Sequence, residues 1–343
     1  MKTIIKNTKT AQKTLNLGFV GLGWIGLNRM KRLLSNPDVE GVAIVEPCEE
    51  NLNQALKFAE NAKVYKSFQD LLSNPNIDGI VIATPSALHA KQTIQALKAK
   101  KAVFCQKPLG RNLAEVKEII QVAYENNQLL GVDLAYRYTK AFQQVYKIIK
   151  NEEIGEIFSV ELKFHNAYGP DKDWFYDIEK SGGGCVLDLG IHLIDLVLWS
   201  LHISEIKNLQ SDLFFKGRKI QKNQNVVEDF ASINFSTNQN IKVNLQCSWN
   251  ISAGKDAEIS AHFYGTKGGL AFKNLGGSFY DFSAEKYTGT KTEILISPPD
   301  NWSGKAAEVW AEKLLKGEKF NVVNAKEHLQ LAEIIDRIYG REI

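Results

Sequence analysis

Residues 15–34 read LNLGFVGLGWIGLNRMKRLL: an apolar strand, then Gly21, Gly23 and Gly26 spaced G-x-G-x-x-G, then a stretch with apolar residues three and four apart. Three glycines in so short a run are by themselves only a tight turn. Between a strand and an amphipathic helix they become a phosphate cradle. One glycine makes the bend, one lets a pyrophosphate approach the backbone, and one lets helix meet strand, while the free N–H groups of the helix face the anion. Trp24 and Ile25 lie inside that turn. The next apolar run, GVAIV (41–45), ends on Glu46, placed where a carboxylate accepts hydrogen bonds from a ribose 2′-hydroxyl. The same carboxylate repels a 2′-phosphate, and Pro47, Cys48, Glu49 and Glu50 supply no cation to offset it. NAD is therefore the expected dinucleotide, with NADP less favoured.

Outward from this unit the alternation continues. GIVIA (79–83), KAVFC (101–105) and LLGVD (129–133) read as further strands, and 49–59, 86–99 and 113–125 as amphipathic helices. Repeated βαβ units predict an α/β, doubly wound parallel sheet over 15–135. Beyond it the period changes to two: Phe158, Val160, Leu162 and Phe164 alternate with polar neighbours, as do Ile241, Val243, Leu245, Cys247 and Trp249. With strand-like runs at 226–236, 257–265 and 268–273, residues 136–343 read as a second, α+β domain. It contains a large, open, mostly antiparallel sheet, one apolar helix near 184–200, and closing helices at 303–317 and 325–340. Residues 1–14 are lysine-rich and read as a loose arm. The cleft between the two domains is the expected ligand site.

Composition narrows the function classes. The 343 residues suit about two domains at roughly 150 residues each. A net charge of +3 gives no electrostatic reason for a nucleic-acid or membrane partner. No stretch reads as a membrane span or export signal. Cys48, Cys105, Cys185 and Cys247 are widely separated, with no C-x-x-C pair, and read as reduced thiols of a cytoplasmic protein. No cluster with metal-ligand spacing stands out.

The chemistry-bearing residues fall in two places. ATPSALH (83–89) and CQKPLG (105–110) follow strands, so Thr84, Pro85, His89, Gln106 and Lys107 are delivered to one rim of the sheet. Downstream, SGGGCVLDLGIHLIDLVLW (181–199) puts Asp188, His192 and Asp195 on one face of an otherwise apolar helix. Removing a hydride from a carbinol carbon requires the hydroxyl proton to leave as well, so a base must lie within hydrogen-bond reach of that oxygen. Histidine titrates near neutrality and serves both directions; a lysine ammonium stabilises a developing alkoxide or shuttles a proton when its pKa is depressed. His192 and Lys107 remain equal candidates for the base. Tyr136 and Arg137, where the chain leaves the first domain, Trp174, in the polar and aromatic loop 167–180, and Asp195, on the apolar helix, are candidate substrate contacts.

The glycine turn, the A-T-P-x-x-x-H stretch, the lysine-proline motif and the glycine-rich D-x-x-x-H helix occur in the order that resembles the Gfo/Idh/MocA family of oxidoreductases, and the likeness runs over about residues 15 to 340. The resemblance implies a Rossmann domain, an open sheet that often mediates homo-oligomers such as dimers or tetramers, and hydride exchange between a nicotinamide and a sugar, cyclitol or nucleotide-sugar. Carried over, it implies that Lys107 reaches substrate hydroxyl and nicotinamide ribose, that Asp188 hydrogen-bonds substrate, and that His192 donates or accepts the proton. In one place the chain departs from the pattern: the family's glutamate before the lysine is Gln106. Two other function classes are a glycosidase that retains NAD and a non-catalytic nucleotide sensor; the presence together of Lys107, Asp188 and His192 is a feature a pure sensor does not need.

Overall fold

A computed structural model describes residues 14–221 and 224–342. The expected arm at 1–14 lies, but for Thr14, outside the described residues. Strands β1 (Leu15–Val20), β2 (Val39–Val45), β3 (Lys63–Val64), β4 (Gly79–Ile82), β5 (Ala102–Cys105) and β6 (Leu130–Val132) form a parallel sheet in the order 3-2-1-4-5-6. Helices α1 (Trp24–Leu34), α2 (Glu49–Leu56), α3 (Phe68–Leu72), α4 (Ser86–Lys98) and α5 (Leu113–Asn126) connect them. β4 and β5 are buried at every residue, which is why they read as unbroken apolar runs. The order reverses between β1 and β4, and that reversal opens a crevice at the carboxyl ends of the strands.

The chain crosses through α6 (Lys140–Lys150) into a nine-stranded sheet. Its strands are β7 (Ile157–Asn166), β8 (Ile206–Phe215), β9 (Arg218–Lys219), β10 (Phe230–Thr237), β11 (Lys242–Ser248), β12 (Ala257–Gly265), β13 (Gly268–Asn274), β14 (Phe282–Thr288) and β15 (Lys291–Ile296). Every pairing is antiparallel except β7 with β11. A short helix α7 (Ile178–Ser181), a π-helical turn at Val186–Gly190 and α8 (Ile191–Leu201) interrupt the strands. One face of the sheet packs with α6, α8 and α10 (Val322–Ile338) into the larger apolar core. Along β11 buried and exposed residues alternate, so the other face is polar.

The remaining helix, α9 (Lys305–Leu315), packs back on the first sheet. Trp310 lies over Gly79 and Gly131, where a Cβ would stand 2.8 Å and 2.7 Å from the indole, so neither position has room for a side chain. The helical segment Ile178–Leu201, 24 residues long, is apolar enough in length and composition to cross a membrane, but it serves as a core helix. Of its most apolar 18-residue window, 83% is buried inside the protein, which accounts for its apolar character.

Candidate functional site

The nucleotide end is built by the first βα turn. Gly21 has φ +79°, and a Cβ there would lie 2.7 Å from the Ala83 carbonyl oxygen; a Cβ on Gly26 would overlap the Gly21 carbonyl. Both glycines are demanded by the protein itself. Gly23 is different: a Cβ would meet nothing within 4 Å, so the space above it is open. α1 starts there with no side-chain cap and no acidic residue in its first turn, leaving its N–H groups facing that space. The Glu46 carboxylate accepts from Leu22 N–H and, at 2.8 Å, from Cys48 N–H. Two of about four lone-pair directions are thereby used, and the others remain for a ribose diol. Turn, helix terminus and acid fit a dinucleotide.

The cleft continues from Gly21, Gly23, Trp24, Ile25, Gly26 and Glu46, past Thr84, Pro85 and His89, to Gln106, Lys107 and Asp188. Its volume is about 1270 Å³. That exceeds the ~300–1,000 Å³ of most single-ligand pockets, which is room for a dinucleotide and a second molecule. Lys107 Nζ lies 2.6 Å from Asp188 Oδ1 and 2.7 Å from its carbonyl oxygen, so the cation of one domain is paired with the anion of the other. Trp249 Nε1 donates to Asp188 Oδ2 at 3.1 Å. His89 is placed between the Pro108 and Thr84 carbonyls, 2.7 Å from each. Burial pushes its pKa down against those two acceptors, and the neutral ring, with a single N–H, donates to one of the two rim loops at a time.

The glycine run before Asp188 is a packing requirement. Gly182 has φ +82° and lies against Arg111, Gly183 against the Tyr339 hydroxyl, and Gly184 against Glu228. The buried Glu228 carboxylate accepts from Gly184 N and Val186 N at 3.0 Å and from Tyr339 Oη at 2.7 Å. Burial raises its pKa, opposed by those donors. Glu228 thus fixes the start of the π-helical turn, and the turn's wider winding presents Asp188 to Lys107.

His192 follows Asp188 by one turn but does not itself line the cleft. Its ring lies against Tyr136, 4.9 Å between centroids, and its Nδ1 is buried without a protein hydrogen-bond partner. Burial first, then the charges of Lys107 and Arg29, hold its pKa well below the usual histidine range, so the ring is neutral at pH 7.

Three expected substrate contacts lie elsewhere. Tyr136 is buried among Phe164, Phe272, Phe282 and Trp302, forming the wall behind His192. Arg137 and Asp195 pair bidentately at 2.7 and 2.5 Å, with Glu327 2.6 Å from the same guanidinium. An apolar helix carrying a carboxylate needs such a partner, and the pair fills a structural role within the second domain, outside the cleft. Trp174 does line the cleft, stacked on Phe175 at 3.8 Å. Asn51, Lys66 and Ser67 also line its nucleotide end and escaped the sequence reading. Lys66 and Ser67 follow β3, a strand of two residues, too short to show a period.

The model for the oxidoreductase family with an NAD-binding Rossmann fold matches residues 15–134, and that for the GFO/IDH/MocA C-terminal domain matches 142–271. Inositol 2-dehydrogenase of Salmonella typhimurium is 30% identical over 194 residues, 55% of each chain, so this chain spans about half the length of the curated relatives it matches. Among solved structures, KijD10, a 3-ketoreductase from Actinomadura kijaniata in complex with NADP and TDP-benzene, superposes with a TM-score of 0.81 at 20% identity, covering 96% of this chain and 99% of that one. GenD2 from gentamicin A biosynthesis, in complex with NAD, gives 0.79 at 23% identity and covers 96% and 95%. With both domain models matched in order and the whole architecture shared, the chain belongs to the GFO/IDH/MocA family of oxidoreductases.

Proposed function

We propose that this chain transfers a hydride between NAD and a hydroxyl or carbonyl carbon of a sugar, cyclitol or nucleotide-sugar. The observation that carries the reading is the Lys107–Asp188 pair, which lines the same cleft as the glycine turn. When bound, the nicotinamide supplies the hydride acceptor. The Lys107 ammonium faces the reacting oxygen and stabilises negative charge developing there. His192, set back one helical turn behind Asp188 and outside the cleft lining, would take the hydroxyl proton through an intervening water, while the C–H bond would give its hydride to the nicotinamide and the carbinol would become a carbonyl. Asp188 holds Lys107 in place at 2.6 Å and offers a carboxylate oxygen to an adjacent hydroxyl. Trp174, on the loop wall, stacks on the apolar face of a sugar ring.

The test is to follow nicotinamide absorbance with the purified protein, NAD and a panel of polyols, aldoses and nucleotide sugars. Reduction with at least one class is expected. Tight dinucleotide binding with no turnover of any would favour a sensor, and cleavage of a glycoside without net NADH a retained-NAD glycosidase.

For the cofactor, Glu46 argues for NAD, while Lys66 and Ser67 at the same end of the cleft favour a second reading in which a 2′-phosphate is accepted. Glu46→Ser with Pro47→Arg is expected to move the NAD/NADP affinity ratio toward NADP by about tenfold or more, as removing one repulsive charge and adding one attractive one implies. An unchanged ratio in that variant, with Lys66→Ala abolishing NADP binding, would establish the second reading. The free cysteines, Cys48 among them exposed, suit a reducing cytoplasm. The polar face of the nine-stranded sheet is the surface through which we expect copies of the chain to associate.

A further inference from the structure

The side chain of Gln106 faces a buried carboxylate. Asp133, 1% exposed and just past the end of β6, accepts at Oδ2 from Arg29 Nε at 2.6 Å and from Gln106 Nε2. Only the amide nitrogen can point that way, because the amide oxygen would meet a carboxylate oxygen. Arg29, 5% exposed on α1, also reaches Asn28 Oδ1 at 2.8 Å and Ser303 Oγ at 3.2 Å, and Asn28 in turn accepts from Ser303 at 2.9 Å. A continuous polar chain therefore runs from the helix behind the phosphate turn, through the end of β6, to the residue joined to Lys107. Its charges balance: one guanidinium, one carboxylate and a neutral amide.

We propose that Arg29 and Asp133 are positioning residues that hold Gln106, and through the shared backbone Lys107, and that this buried pair requires an uncharged side chain at position 106. A glutamate there would place two carboxylates within hydrogen-bond reach around a single guanidinium. The departure from the family's residue is thus matched by its surroundings. Arg29 of α1 is paired with Asp133, and Cys105 and Tyr138 lie within reach of its charge; the next charges along the chain and across the domain boundary are Lys107 with its partner Asp188, and His192 lies within reach of the charge of Arg29.

The test compares Q106E, D133N and the double variant Q106E/D133N with the parent chain. In Q106E one of the two carboxyls keeps its proton in the folded state above its unfolded pKa. The folded state then binds more protons, and stability is lost as pH rises. The melting midpoint of Q106E should fall below that of the parent by a margin that widens by about 3 °C or more between about pH 5.5 and pH 8.5. In the double variant, which returns one carboxylate to one guanidinium, the margin should be flat. Turnover of Q106E should drop roughly tenfold at the alkaline end and recover to within about threefold in the double variant, with NADH affinity unchanged.

The positioning role rests on the dehydrogenase reading, but the melting readout needs no substrate. Absence of turnover in the parent chain would count against that reading alone. A pH-independent margin, or a double variant no better than the sum of the singles, overturns the proposal. So does a Q106E chain that fails to fold and is not rescued by D133N.

Discussion

Lys107→Ala is expected to lower turnover by about 10²- to 10³-fold, the scale of losing one preorganised donor at a developing oxyanion, while NADH affinity stays within a few fold. The substitution removes the cation from the cleft and leaves Asp188 with Trp249 as its remaining side-chain partner. The loss should appear in kcat more than in KM, because the ammonium acts where charge develops. Lys107→Arg keeps the charge but spreads it over a planar fork, and should recover only part of the rate. His192→Ala should cost about 10²-fold in turnover with a similarly small change in NADH binding, the usual scale for a general acid or base. Steady-state kinetics and NADH fluorescence titration on the same preparations separate the two quantities. Equal losses in binding and rate, or a collapse of the melting temperature, would move either residue from catalysis to architecture.

Glu228→Ala should be the most destabilising single change near the site. It strips the acceptor from Gly184 N–H, Val186 N–H and the Tyr339 hydroxyl. Gly184 and Val186 are buried and Tyr339 is packed against the second core, so no water readily replaces the carboxylate. At about 1–3 kcal/mol for each buried group left unpaired, the cost is on the order of 4 kcal/mol, enough to lower thermal stability by many degrees. Glu228→Gln retains one acceptor oxygen and should recover a part of it. Because Glu228 fixes the turn that delivers Asp188, the surviving folded fraction should also turn over slowly. A melting temperature within about 2 °C of the parent would show that the glycine run holds its shape without this carboxylate.

Much of this molecule was legible in residue patterns because the relevant physics is local. β1, α1 and the glycine turn follow from apolar periodicity and from the absence of Cβ atoms at Gly21 and Gly26. The alternating strands β7 and β11 were equally plain, each presenting one face to the core, and β12 showed as a strand-like run. Less plain were β3, with two residues, β8, β14, β15 and α6. Local signals placed Lys107 at a strand end and Asp188 on the apolar helix, but only the family resemblance implied that the two act at one site.

What the chain alone could not decide were the partners of its buried charges. Asp195, Arg137 and His192 looked alike as polar residues in apolar surroundings. The fold gives the first two to each other and to Glu327, and leaves the third with an unsatisfied ring nitrogen beside Tyr136. Gln106 looked like a defect in a motif until Asp133, 27 positions away, and Arg29, more remote still, were brought against it. Composition, periodicity and spacing determined the two sheets and the phosphate turn, and the motif order pointed to the lysine and aspartate. Tertiary structure decided which charges neutralise one another and which face the cleft, because a pKa or an ion pair depends on neighbours within a few ångströms that may lie a hundred residues distant along the backbone.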